Sequence, residues 1–250
     1  MPQIEGAGVA LHYEERGAGP AVLVVHAMGS DAAAWSGFLA RVEEGRARGV
    51  AYDRRGYGGS GAPEPYAATS VQEQAQDAGA VVEGLGLAPA VLVGDGFGGL
   101  VALELAVRRA ELVSGLVLAD PPLGAFVPDA ARALADERKL LEEALREGGP
   151  AAALRAWLGE RGGAPDAVAR ADDNHVGFFA DYAGQASWSP SRRELRGLGA
   201  PLAVVTGPGT PAHVVAAADA VAALVPDVRR VVDGDVVEAA LELLRRRVDP

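Results

Sequence analysis

Histidine chemistry in this chain has four addresses, His12, His26, His175 and His213, and cysteine chemistry has none. The lack of cysteine excludes a thiolate nucleophile, disulfides, cysteine-ligated zinc and iron–sulfur clusters. Asp172-Asp173-Asn174-His175 contains metal-ligand residue types. Consecutive residues rarely converge on one ion, so neither a metal nor another cofactor is expected. His26 ends the apolar run Ala21–Val25, and Asp120 ends the run Gly115–Ala119. Both therefore stand where an open α/β sheet binds ligands, at the carboxyl ends of its strands. Asp95 follows the run Ala90–Val93 and its glycine. Acid–base chemistry is thus on offer from Asp95, Asp120 and His26. Each has a plainer use as well. Aspartate before Pro121-Pro122 favours a turn, Asp95 can cap the helix that starts near Gly98, and His26 can order its own loop by hydrogen bonds.

The elements that must position these residues are readable from short apolar runs separated by helix-like stretches. The runs are Val9–Tyr13, Ala21–Val25, Val50–Tyr52, Ala90–Val93, Gly115–Ala119, Leu202–Thr206 and Val228–Val232. Three of them (Ala21–Val25, Ala90–Val93 and Leu202–Thr206) are apolar throughout, as parallel strands covered on both faces must be. Between the runs lie Ala32–Glu44, Ser70–Gly84, Gly98–Arg109, Ala212–Leu224 and Val236–Arg247. The alternation predicts an α/β fold with a mostly parallel sheet. From about Val127 to Leu198 the alternation stops. Helix-like blocks Ala130–Glu147 and Ala151–Glu160 precede the aromatic stretch His175–Tyr182, which predicts a helical lobe inserted between two strands. The expected division is a core of residues 1–125 and 199–250 with a helical cap of residues 126–198.

The 250 residues carry 23 basic and 34 acidic side chains, a formal net charge of −11. Nucleic acid and anionic membranes need clustered Lys and Arg, so neither is an expected partner. No positively charged leader and no apolar run near 18 residues is present, so a soluble, cytoplasmic monomer or homodimer acting on a small molecule is expected. Lysine occurs only at Lys139, a usage that fits a GC-rich genome such as an actinobacterial one.

Four local motifs, in order, resemble those of the α/β-hydrolase family. His26-Ala27-Met28-Gly29-Ser30 is similar to its HGxxG oxyanion loop, with alanine at the first glycine. Asp53-Arg54-Arg55-Gly56-Tyr57-Gly58-Gly59-Ser60 resembles its DxRGxGxS turn, and Asp53 and Arg54 read mainly as scaffold. Gly94-Asp95-Gly96-Phe97-Gly98 stands at the position of its GxSxG nucleophile elbow. Asp120-Pro121-Pro122-Leu123 is similar to an EPPL variant. The resemblance implies an α/β-hydrolase fold with a cap, and an oxyanion site made by the N–H groups of Ala27 and Phe97, bordered by Met28 and Gly96. Some members keep their acid at the position of Asp120.

The departures bear on the reaction. Gly96 has no side chain where the family has its nucleophile, Gly207-Pro208-Gly209-Thr210 replaces a GxxD acid, and no histidine follows His213. The resemblance without these groups points away from an acyl-enzyme. The expected function is non-hydrolytic: a lyase, isomerase, cyclase or decarboxylase acting on a small, partly apolar carbonyl compound by oxyanion stabilisation and acid–base catalysis, suited to bacterial specialised metabolism. The competing readings are a ligand-binding pseudoenzyme and a residual hydrolase that uses water activated by Asp120. Trp35, Phe126, Asn174, His175, Phe178, Tyr182 and Trp188 are the expected pocket residues, because aromatics gather in the lobe of a chain that is only 5% aromatic.

Overall fold

The computed structural model describes residues 2–128, 130–185 and 188–248. Met1, Asp129, Ala186, Ser187, Asp249 and Pro250, which the expected core and cap ranges include, lie outside the described residues. The strands are β1 (Gln3–Glu5), β2 (Ala10–Arg16), β3 (Ala21–Val25), β4 (Arg48–Tyr52), β5 (Ala90–Asp95), β6 (Val113–Ala119), β7 (Leu202–Thr206) and β8 (Val228–Val232). They form one sheet in the order β1-β2-β4-β3-β5-β6-β7-β8. The β1–β2 and β2–β4 pairs are antiparallel, and every other pair is parallel. Each parallel connection needs a crossover, which the intervening helices supply.

The all-apolar runs are the middle of this sheet. Every residue of β3 and β7 is buried, and alternate side chains enter two separate cores. Leu23, Val25, Leu92, Leu116 and Val204 face one, while Val22, Val24, Val91, Val93 and Val205 face the other. Helices α2 (Val71–Gly84) and α3 (Phe97–Arg108) cover the first face, and α1 (Ser36–Glu44) and α9 (Val236–Val248) the second. Ser70 starts α2 by accepting the Glu73 N–H on its side chain, the usual reason a serine precedes a helix. Asp31 does the same for the short 3-10 turn Ala32–Trp35 that leads into α1.

Between β6 and β7 the described residues hold helices only: α4 (Ala130–Glu160), α5 (Pro165–Ala169), α6 (Ala171–Gln185) and α7 (Arg192–Arg196). The two blocks expected at Ala130–Glu147 and Ala151–Glu160 are the halves of α4. They meet at Gly149, whose φ of 77° leaves the helical region, next to Pro150, which cannot donate to the preceding turn. Helix α8 (Ala212–Ala222) then joins β7 to β8. No described helix is long and apolar enough to cross a membrane.

Two features set the carboxyl edge of the sheet where the site is expected. The first is the crossing of α3 over β3. A Cβ on Gly98 would lie 2.0 Å from the Val25 carbonyl oxygen, and one on Gly94 would lie 2.5 Å from the Gly99 Cα. Only glycine lets helix and strand approach this closely. The second is the stitching of neighbouring strand ends: the Gly96 N–H donates to the Ala119 carbonyl (2.9 Å) and the Asp120 N–H to that of Val205 (3.0 Å). Gly98→Ala drives a methyl into a backbone oxygen that has nowhere to retreat, and the expected cost is about 3 kcal/mol or more by urea unfolding.

Candidate functional site

The turn between β5 and α3 is built as the sequence implies. Gly96 adopts φ 51° and ψ −119°, a combination that costs any other residue strain. A Cβ there would meet only Ala27, at 3.3 Å from its Cβ and 3.9 Å from its Cα. The space above Gly96 is otherwise open, and Ala27 forms its wall. Among the described residues no acceptor takes the N–H of Ala27 or of Phe97. Phe97 opens α3, so its N–H also carries the positive end of the helix dipole. Phe97 itself is buried, as is Met28, while Ala27 and Gly96 are half-exposed.

Two carboxyl groups stand at the carboxyl ends of the neighbouring strands β5 and β6. Asp95 closes β5, half-buried, with no hydrogen-bond partner for its side chain among the described residues. Burial, then the charge of Asp120, push its carboxyl up to about 7, against a weaker opposing pull from Arg54. Asp95 is not the cap of α3: no side chain fills that place. Asp120 follows β6 in a left-handed conformation with φ 45°, uncommon for a side-chain-bearing residue and often a sign of a functional turn. The Thr210 hydroxyl donates to Asp120 Oδ1 at 2.6 Å and accepts the Gly207 N–H at 2.8 Å. Thr210 occupies the last place of the turn after β7, where the GxxD pattern has its acid. The sequence signal was the pattern itself, with a hydroxyl in place of the carboxylate.

His26 is corrected from acid–base candidate to scaffold. It is fully buried, Nδ1 donates to the Ala27 carbonyl at 2.8 Å, and Nε2 accepts the Arg54 N–H at 2.9 Å. Burial and the neighbouring Arg54 charge hold its pKa well below the ordinary value, so the ring is neutral with both nitrogens occupied. The remaining histidines have other surroundings. His12 pairs with Asp53 at 2.8 Å, His175 Nδ1 bonds the Asp172 carbonyl within α6, and His213 lies in the first turn of α8.

The expected pocket residues divide. Phe126 is half-buried on the chain leaving Asp120, with the Arg192 guanidinium 5.8 Å from its ring centre. Trp35 stacks edge-on against Phe38 at 5.3 Å, on the α1 side of the sheet. Phe178 is wholly buried against Trp157 and Phe179, as the centre of helical packing. Tyr182 lines a groove of about 290 Å³ with Leu141, Leu145 and Phe179, away from the elbow. Trp188 donates its indole N–H to Glu104 of α3 at 3.1 Å. Asn174 is buried, its amide donating to Asp31 and its oxygen accepting the Gly58 N–H. Trp35, Phe178, Trp188 and Asn174 are engaged in packing or fastening, which helical periodicity alone could not separate from lining a pocket. No group of metal-ligating side chains is found among the described residues.

A family model described as "Alpha/beta hydrolase family" matches residues 22–247, the greater part of the chain. The chain belongs to the alpha/beta hydrolase family. Among curated relatives, "Epoxide hydrolase 3" of Xenopus tropicalis is 32% identical over 122 residues, 48% of this chain and 33% of that protein. The chain thus spans about a third of that relative's length. Among solved structures, an esterase from Exiguobacterium antarcticum superposes with a TM-score of 0.78 at 20% identity, covering 99% of both chains. An alpha/beta hydrolase from Sphaerobacter thermophilus does so with 0.76 at 21% identity, over 97% of this chain and 100% of its own. At these identities the structural likeness establishes the α/β-hydrolase fold.

The raised Asp95 carboxyl makes stability depend on pH in a fixed direction. The folded protein keeps a proton that the unfolded chain gives up near pH 4, so folding stability falls as pH rises from about 4 to about 7. Asp95→Asn is expected to remove that decline in urea unfolding followed across this interval. Asp120→Asn is expected to move the Asp95 midpoint down, read from its carboxyl carbon signal by NMR.

Proposed function

We propose that this alpha/beta hydrolase hydrolyses a small, partly apolar carbonyl substrate by direct attack of water, without an acyl-enzyme. The observation that carries the reading is the pair of unlike carboxyls beside an elbow that has no side chain. Asp95 holds a proton near neutral pH, and Asp120, fixed by Thr210 and near enough for its charge to act on Asp95, serves as the base. A carboxyl that keeps its proton to neutral pH can serve as the acid in such a reaction. The substrate carbonyl oxygen accepts the Ala27 and Phe97 N–H groups, which strengthen as charge develops on it. Water occupies the space over Gly96, gives a proton to Asp120 and bonds to the carbonyl carbon. As the tetrahedral species collapses, Asp95 protonates the leaving atom, and the proton on Asp120 returns the pair to its starting state.

The expectation of lyase, isomerase, cyclase or decarboxylase chemistry is set aside, since the family and the relatives named above are hydrolases. A biosynthetic setting and an actinobacterial source gain no support from them either. The helices between β6 and β7, residues 126–198, serve in this reading as the cap that shapes the substrate.

The test is turnover of p-nitrophenyl acetate and butyrate. The wild-type rate is expected to fall as pH rises through about 7, where Asp95 loses its proton. Asp120→Asn is expected to lower kcat by about 10²- to 10⁴-fold with KM little changed. A fluorophosphonate is expected to leave the chain unmodified by mass spectrometry. A stoichiometric adduct, or full turnover by Asp120→Asn, overturns the mechanism. Saturable binding of these esters with no turnover favours the ligand-binding pseudoenzyme instead.

A further inference from the structure

Helix α6 lies against the core along a face made of Gly177, Asp181 and Gly184, residues spaced four and three apart on one side of a helix. A Cβ on Gly177 would come within 2.7 Å of the Gly56 carbonyl oxygen, and one on Gly184 within 2.4 Å of that of Thr69. The helix backbone is therefore seated closely on the turn after β4 at Gly56 and on the chain entering α2 at Thr69. Between the two glycines Asp181 reaches into the core. Its carboxylate is completely buried and accepts from the Arg54 guanidinium (2.7 Å), the Tyr57 hydroxyl (2.5 Å) and the Gln74 amide (2.5 Å).

Arg54 is also completely buried; Nη1 donates to Gln74 Oε1 at 2.6 Å, and two other donors go to the oxyanion loop. Nε donates to the His26 carbonyl at 2.9 Å and an Nη2 hydrogen to the Ala27 carbonyl at 3.2 Å. Its own N–H donates to His26 Nε2, and its guanidinium carbon lies 5.0 Å from the centre of the Phe97 ring. One side chain therefore touches both residues whose N–H groups define the oxyanion site. A buried guanidinium needs a buried counter-charge to stay in place, and Asp181 is that charge. The same α4–α6 segment presses the loop a second time, since a Cβ on Gly29 would lie 2.9 Å from Leu154 of α4.

We propose that Asp181 is a positioning residue, which from α6 fixes Arg54 and through Arg54 fixes the backbone that aims the Ala27 N–H. The loop holds its working shape because a helix far along the chain supplies the charge that Arg54 requires. This rests on the oxyanion reading of Ala27 and Phe97, but its test does not need turnover.

The reporters are the amides of Gly29, Ser30 and Arg54, which donate to Tyr57 Oη, the Ala27 carbonyl and His26 Nε2. In the full chain, Asp181→Asn is expected to speed hydrogen exchange at these three amides at least tenfold while β5 and β6 keep wild-type protection. Asp172→Asn, which removes only the exposed Arg155–Asp172 pair, is expected to leave them unchanged. Wild-type exchange in folded Asp181→Asn overturns the proposal, as does an equal acceleration across β5 and β6, the mark of general destabilisation. If Asp181→Asn does not fold, the charge-free pair Arg54→Met with Asp181→Leu removes the unpaired charge. Faster exchange at Gly29 and Ser30 in that variant supports the proposal, and wild-type exchange overturns it. Titration with n-butylphosphonate, read at the Ala27 and Phe97 amide signals, separates the two ideas. At least tenfold weaker binding by Asp181→Asn supports the positioning role, and wild-type affinity overturns it. A wild type that binds no phosphonate but shows the tenfold exchange pattern supports the positioning role while overturning the oxyanion reading.

Discussion

A guanidinium shut away from water must find every acceptor inside the protein, and the acceptors that Arg54 finds join the parts of this molecule. They come from the loop after β3, from Gln74 of α2 and from Asp181 of α6. Leaving any donor unmet in that setting would cost more than an ordinary surface hydrogen bond returns. The turn carrying Arg54 has its own restraint in Arg55, whose guanidinium pairs with the buried Asp77. A charge on each side of one peptide bond is thus committed to a different element. The position of the sheet edge relative to the helices above it follows from that division.

The proposed chemistry at the edge uses two aspartates rather than a nucleophile. Burial and like charge act on Asp95 in the same direction, while the Thr210 hydroxyl gives Asp120 a donor of its own. The connection between β8 and α9 is short. It consists of Asp233-Gly234-Asp235, with Asp235 capping α9 and pairing with Arg41.

Much of this was legible in the chain before folding. Strands buried on both faces announce themselves as unbroken apolar runs, and β3 and β7 begin and end where those runs do. Gly94, Gly96 and Gly98 are legible for a related reason, since each meets a backbone constraint that other residues resist. The short β1 was not, because three half-exposed residues, Gln3–Glu5, have no pattern of their own and pair only once β2 is in place. Asp181 was illegible for a stronger reason. An aspartate in a helix of mixed polarity looks solvated, and only the approach of α6 turns it inward. Trp35, Phe178 and Trp188 show the same limit, since an aromatic advertises burial without saying which face it will be buried against.

Gly96 leaves behind an unusual chemical opportunity. The turn keeps the backbone shape that would display a side chain, its one near neighbour is Ala27, and the chain has no cysteine anywhere. A thiol introduced there would be unique in the molecule and would stand beside two unclaimed N–H donors. The position is a built-in attachment point, through which a spectroscopic probe or a synthetic cofactor can be tethered at the centre of the sheet edge without first removing competing thiols.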